Sequence, residues 1–247
     1  VGKNLQDHLQ ARPVFKTGLS TINIETNNLF KQGLIALQYA LTQTGPMTMA
    51  ASLGTGFLKT DPSLDSPDIQ FHIQPFSASA PADGPHKFSA FTASVLQMRP
   101  ESTGHIALKS SDWRDHPAIN PNYLATKLDQ DTIVKGIQIA RKISQFEPLK
   151  THITEEFSPG LDIAIDDYDA TLQWARETSV TIYHPTGTCK MGQGDMAVVD
   201  ARLRVHGING LRVADCSIMP TITSGNTNAP AIMIGEKLSD MILEDAK

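Results

Sequence analysis

Residues Asp68 to Phe76 alternate apolar and polar side chains with a period of two. Ile69, Phe71 and Ile73 point one way, and Gln70, His72 and Gln74 point the other. A second β-rich run, Phe88 to Met98, follows and ends at Pro100. Glu101 to Gly104 reads as a turn, and His105 to Lys109 as a short return strand. Strands in this order predict an antiparallel meander. Leu9 to Phe15 is also strand-like, interrupted by Pro13.

Helical periodicity alternates with these strands. Phe30, Leu34, Leu37 and Leu41 share one face of a helix predicted over Asn28 to Thr44, which Asn28 can cap and Gly45-Pro46 stops. Ile133, Ile137, Ala140 and Ile143 form the stripe of a second helix, Lys127 to Phe146. A third is predicted over Asp166 to Thr178, with acidic residues at its start, where the helix dipole favours them. After Thr181 the texture changes. Short β-like runs at Ala197 to Asp200, Arg202 to Val205 and Leu211 to Val213 sit between Gly-rich turns. A last helix, Ala229 to Glu244, tolerates Pro230 in its first turn. The predicted class is α+β, an antiparallel sheet backed by helices, with a boundary near Ile182. Residues 1–182 then form one domain and 183–247 a distinct, motif-rich segment.

A net charge of −5, with no dense Lys/Arg run, argues against a nucleic-acid partner. No apolar stretch reaches membrane-spanning length, so no membrane span is expected. Cys189 and Cys216 read as free thiols, which favours a reducing compartment and a cytoplasmic location. The eight histidines form no H-E-x-x-H or similar pattern, so no metal is predicted. The opening Val1-Gly2-Lys3-Asn4 has no initiator Met, as expected of a fragment.

Three stretches of the tail carry the chemistry. The first is Tyr183-His184-Pro185-Thr186-Gly187-Thr188. A histidine titrates near neutral pH and can take or hold a hydroxyl proton, and the following proline biases its backbone to an extended form. Standing alone, a His before Pro also fits a structural role. The second is Ser224-Gly225-Asn226-Thr227-Asn228-Ala229-Pro230, running into the last helix. An asparagine amide can donate to an alkoxide without competing for its proton. Asn228 could equally cap the helix. The third is Leu211-Arg212-Val213-Ala214-Asp215-Cys216, a strand leaving into a turn. Gly192-Gln193-Gly194-Asp195-Met196-Ala197 fits G-x-G-x-x-A but lacks a preceding strand and a following helix, so it is not read as a dinucleotide loop. A Cys189–His184 nucleophile ranks low, because no hydrolase signature accompanies it.

In this order, the three stretches resemble the C-terminal signature of the glucose–methanol–choline family of flavin-dependent alcohol oxidoreductases. The likeness extends upstream through Val1-Gly2-Lys3-Asn4-Leu5-Gln6-Asp7-His8, which is similar to that family's V-G-x-N-L-x-D-H segment. It continues through Asp68 to His72, Gly104 to Ser110, and Pro121-Asn122-Tyr123-Leu124. Trp113 departs from the family's usual proline.

The resemblance implies a substrate-binding domain over 1–182 and the closing segment of a Rossmann-type FAD domain over 183–247. It implies an FAD cofactor, a small alcohol substrate, and an upstream N-terminal half carrying the glycine-rich FAD motif as partner. It places the catalytic pair on His184 and Asn226, and contacts to the cofactor on Asp215, Cys216, Thr227 and Asn228. The implied reaction moves a hydride from a primary alcohol to flavin. The alternative is a non-catalytic, stand-alone substrate-binding module or an inactive fragment that cannot bind FAD by itself. Either association into oligomers or local disorder of the tail is also expected, because the tail's apolar face, including Ile232, Ile234 and Leu238, would lack part of its cover.

Overall fold

A computed structural model describes residues 1–50, 52–79 and 84–246. Its strands in chain order are β1 (Lys3–Leu5), β2 (Leu9–Ala11), β3 (Val14–Thr17), β4 (Gly54–Leu58), β5 (Ile69–Gln74), β6 (Ala90–Gln97), β7 (Gly104–Ala107), β8 (Ala118–Asn120), β9 (Ile153–Ser158) and β10 (Val180–Thr181). Its helices are α1 (Ile22–Glu25), α2 (Leu29–Thr42), α3 (Lys127–Ile143), α4 (Leu149–His152), α5 (Tyr168–Thr178) and α6 (Asn228–Asp245).

The chain forms two compact units. One contains Val1–Leu9, Met98–Gln130 and Thr181–Lys247; the other contains Gln10–Gln97 and Asp131–Val180. No single cut near Ile182 separates them. The tail shares its unit with the start of the chain because Gln6 and Thr186 form a bridge, each donating its backbone N–H to the other's carbonyl.

In the second unit β6 is the centre of an antiparallel sheet. β5 lies along one side of it, in register from Ile69 opposite Gln97 to Gln74 opposite Thr92. β2 and β3 share the other side in one unbroken register, Gln10 opposite Leu96 and Val14 opposite Thr92. Pro13 lacks the N–H a ladder needs, so it splits the strand. Its carbonyl still accepts from Ala93 N at 2.9 Å, which holds the alignment. β4 pairs with β5, and β9 with β3. Both faces of the first part of β5 are buried: Ile69 and Phe71 on one, Gln70 and His72 on the other. Each of the polar pair has a local partner, Gln70 Nε2 donating to Thr55 Oγ1 and His72 Nδ1 meeting Ser52 Oγ at 3.0 Å.

Ile133, Ile137 and Ala140 of α3 are buried as the periodicity predicts, Val134 is buried with them, and Ile143 at the helix end is exposed. Gly136 marks a close approach of α3 to the sheet, since a Cβ there would stand 2.7 Å from Val95 Cγ2. In the last turn of this helix, the buried Arg141 pairs with Glu156 of β9 at 2.6 Å and donates to the carbonyls of Gly160, Ile163 and Ala164. Asn28 caps α2 by accepting from Lys31 N, and Asp167 caps α5 by accepting from Ala170 N. The predicted apolar stripe of α2 is present, but Phe30, Leu34, Leu37 and Leu41 are all exposed.

In the first unit, the return strand expected at His105 to Lys109 does not run back along β6. It is β7, the middle of a separate three-stranded sheet with β1 and β8. Asp129 redirects the chain there, accepting from Glu101 N and Ser102 N through its two oxygens. The β-like runs of the tail form single bridges, Met191 with Val199, Val199 with Val205 and Arg204 with Arg212. They surround a small core of Val199, Leu203, Ile218, Met219 and Ile234. α6 closes that core through Ile234, with Leu238 and Met241 packed beside it, while Ile232 is exposed. Asn228 does not cap α6. Thr227 occupies the cap position without a side-chain bond, and Asn228 is the first helical residue. Among the described residues, no helix is long and apolar enough to cross a membrane.

Candidate active site

The first unit brings His184 to a buried position through a tight local turn. Thr181 Oγ1 accepts from Tyr183 N, and Tyr183 takes a left-handed φ of 64°. The next residue, His184, then points inward at 7% exposure, while Tyr183 stays outside at 69%. A hydroxyl that accepts from a backbone N–H two residues on is a standard way to set such a turn.

Asp7 holds this turn against the start of the chain. Its Oδ1 accepts from the backbone N–H of both His8 and His184, each at 2.9 Å. Its Oδ2 accepts from the Tyr123 hydroxyl at 2.5 Å and from the Thr181 hydroxyl. Four donors on one carboxylate leave it little freedom. Burial, then the neighbouring carboxylate and its hydrogen bond, push the Tyr123 hydroxyl well above the ordinary phenol range, so it acts as a donor.

Both ring nitrogens of His184 meet partners. Nδ1 stands 3.0 Å from Nδ1 of His8, and Nε2 stands 3.4 Å from the amide nitrogen of Asn226. Burial lowers the His184 pKa below the ordinary 6.5, against the smaller upward pull of Asp7. The neutral imidazole therefore prevails at neutral pH.

The other predicted site residues gather around the same turns. Asp215 accepts from Ser217 N and so caps the short 3-10 turn Cys216–Ile218. The carbonyl of Cys216 accepts from Gly187 N, three residues beyond His184, and its thiol lies 3.8 Å from the carbonyl of Thr227. Burial and then the charge of Asp215 raise the Cys216 pKa, which keeps the thiol protonated and a poor nucleophile. Thr227 is buried and Asn228 is exposed at the start of α6. Gly187 is required: its φ is 89°, and a Cβ would come 2.3 Å from the carbonyl of Asn4. Asn4 and Gln6 clamp the tail further, both donating to the carbonyl of Pro220. The G-x-G-x-x-A stretch is a turn between Met191 and Val199, with no helix after it.

Sequence reasoning assigned no role to Asp7, His8, Tyr123 or Thr181. The first three lie inside segments already marked by resemblance, and only the fold shows that they converge on His184.

The donor set suits a flavin. Two asparagine amides, the uncapped first turn of an 18-residue helix and the buried, unbonded Thr223 Oγ1 lie within one short run of chain. A Cβ on Gly225 would meet nothing within 4 Å, so the loop leaves room beside Asn226. Helix N-termini and amide donors favour electron-rich carbonyl groups such as those of an isoalloxazine ring.

Comparison with known proteins agrees with this chemistry. A family model described as GMC oxidoreductase matches residues 100–235. An oxygen-dependent choline dehydrogenase of Pseudomonas fluorescens SBW25 is 38% identical over 242 residues, covering 98% of this chain and 42% of that protein. An alcohol dehydrogenase [acceptor] of Pseudomonas putida is 37% identical over 247 residues, covering 98% of this chain and 44% of that protein. The chain thus spans less than half the length of these curated relatives. Among solved structures, a formate oxidase of Aspergillus oryzae RIB40, from work on FAD modification, superposes with a TM-score of 0.88 at 26% identity. That match covers 99% of this chain and 47% of the other.

Proposed function

The chain belongs to the GMC oxidoreductase family, and on that premise we propose that it is the C-terminal part of an FAD-dependent enzyme oxidising a primary alcohol to an aldehyde. The observation that carries the reading is the contact in which Nε2 of the buried His184 faces the amide of the exposed Asn226 at 3.4 Å. An alcohol oxygen placed to one side, within reach of both nitrogens, meets a proton acceptor and a donor together. His184 Nε2 takes the hydroxyl proton, and the Asn226 amide holds the negative charge that develops on oxygen. Burial keeps His184 neutral and ready for this task.

Bound FAD would supply the hydride acceptor. Asn228 and the first turn of α6 would hold its ring, with Thr227 and the Asp215–Cys216 turn contributing contacts largely through backbone. Residues 1–182 would supply most of the substrate domain and 183–247 the end of the flavin domain, with the remaining flavin-binding sequence in an N-terminal half. The relatives' names include choline and alcohol dehydrogenases, and a primary alcohol is the class that joins them. The two unpaired thiols support a reducing, cytoplasmic setting. A non-catalytic binding module is not favoured, since the aligned relatives are dehydrogenases.

The test is His184→Ala in the complete enzyme. Stopped-flow flavin reduction at saturating alcohol should fall ~10²–10⁴-fold with FAD still bound. Reduction at the parental rate would remove His184 from the chemistry and the reading with it.

A further inference from the structure

The hydrogen bonds around His184 run in one direction. The carbonyl oxygen of Met98 lies 2.9 Å from His8 Nε2 and can only accept, so His8 carries a proton on Nε2. The His8 side chain is fully buried, and burial favours the neutral imidazole over the charged form. A neutral His8 protonated on Nε2 has its lone pair on Nδ1. That lone pair faces His184 Nδ1 at 3.0 Å, so His184 must carry its proton there. The rings meet edge-on at 84°, and rotation about the nitrogen–nitrogen line leaves both in-plane directions intact. The remaining lone pair of His184 is then on Nε2, facing the Asn226 donor.

We propose that His8 is a positioning residue that locks His184 in the tautomer protonated on Nδ1, so that Nε2 presents its lone pair to the alcohol. The inference rests on the function proposed above for its consequence, but not for its measurement. When the alcohol reacts, its O–H bond breaks and an N–H bond forms at Nε2, giving an imidazolium. Nδ1–H keeps donating to His8 throughout, so no second proton has to move. Which imidazole nitrogen carries the proton is set by the bond the other one makes. In serine-protease triads, holding the wrong tautomer lowers kcat by ~10⁴.

The test is NMR of the protein labelled with 15N-histidine, without substrate. The His184 ring should show a protonated Nδ1 and an unprotonated Nε2, and the His8 ring the reverse. His8→Leu removes the acceptor, and the His184 proton should move to Nε2. His8→Gln offers an amide oxygen to His184 and an amide N–H to Met98, and should restore the parental pattern. In the complete enzyme, flavin reduction should fall ~10²–10⁴-fold in His8→Leu and recover in His8→Gln. A parental His184 protonated on Nε2 overturns the proposal, as does a folded His8→Leu protein with the tautomer unchanged. If His8→Leu does not fold, His8→Gln decides: a proton on Nε2 of His184 in that variant also overturns it. If instead the tautomers are as stated but His184→Ala reduces flavin normally, the alcohol-oxidation reading fails and the His8 lock stands.

Discussion

Oδ1 of Asp7 accepts the backbone N–H of His184 at 2.9 Å, across 177 positions of sequence. The same oxygen accepts from His8 N. One carboxylate therefore fixes the backbone of both histidines whose rings touch, and its charge also acts on the His184 ring.

That arrangement predicts a pH profile. Burial holds His184 below the ordinary 6.5, and Asp7 partly opposes the shift. The proposed reaction needs the base form, so kcat/KM should be level at neutral pH and decline only below the ordinary imidazole value. Asp7→Asn removes the opposing charge, so the acid limb should move to still lower pH. A limb that moves upward in Asp7→Asn would contradict the electrostatic role.

The same shift has a stability counterpart. The folded-state pKa lies below the unfolded value, so the unfolded chain takes up this proton first as pH falls. The His184 contribution is present above 6.5 and is lost as pH falls through the folded value. Urea midpoints of parent and His184→Gln should therefore diverge least at acid pH. A difference that grows on acidification would refute this.

In the proposed reaction, Asn226→Ala removes the donor to the developing alkoxide. Flavin reduction in the complete enzyme should slow roughly 10²-fold. Combined with His184→Ala, the loss should fall short of the product of the two, because both act on one oxygen. Fully multiplicative effects would mean that the two side chains act on separate atoms.

Arg141 and Glu156 are 1% and 7% exposed and 2.6 Å apart. Removing one member of such a pair costs about 3–5 kcal/mol, so Arg141→Met should be strongly destabilising. Burial already raises the Glu156 pKa against the pull of Arg141. Without the arginine, that folded value lies further above the unfolded one. The extra destabilisation should then be small at acid pH and grow as pH rises through the folded value. Denaturant melts showing a pH-independent loss would be inconsistent with an unpaired carboxylate.

Gly136 should resist replacement even by alanine. Alanine gains up to ~1 kcal/mol of helix preference, but its Cβ would meet Val95 Cγ2 at 2.7 Å. Overpacking of this kind costs about 1–3 kcal/mol. A Gly136→Ala protein with a raised melting temperature would show that α3 can lift from the sheet without penalty.

Local pattern was legible wherever one element satisfied its own needs. Asn28 and Asp167 cap their helices because the bond closes within three residues. The α3 stripe buries as its period dictates through Ala140. The His184 and Asn226 motifs could be marked because their residue types suit proton handling and charge stabilisation. The α2 stripe shows the limit. Its periodicity correctly predicted a helix, but Phe30 and Leu41 are exposed, since period alone does not say what an apolar face meets.

Pairing over long sequence separations was decided by the tertiary structure. Nothing local tells β7 to join β1 and β8 instead of returning along β6; the bonds from Glu101 N and Ser102 N to Asp129 redirect it. Thr227, not Asn228, takes the cap position of α6, because the turn geometry sets where the helix begins. The sequence by itself determined the longer helices, the strands β5 and β6 and the chemical types at the site. Only the fold decided that Asp7, His8, Met98 and Tyr123 converge on His184, because that convergence depends on backbone bonds between segments far apart in the chain.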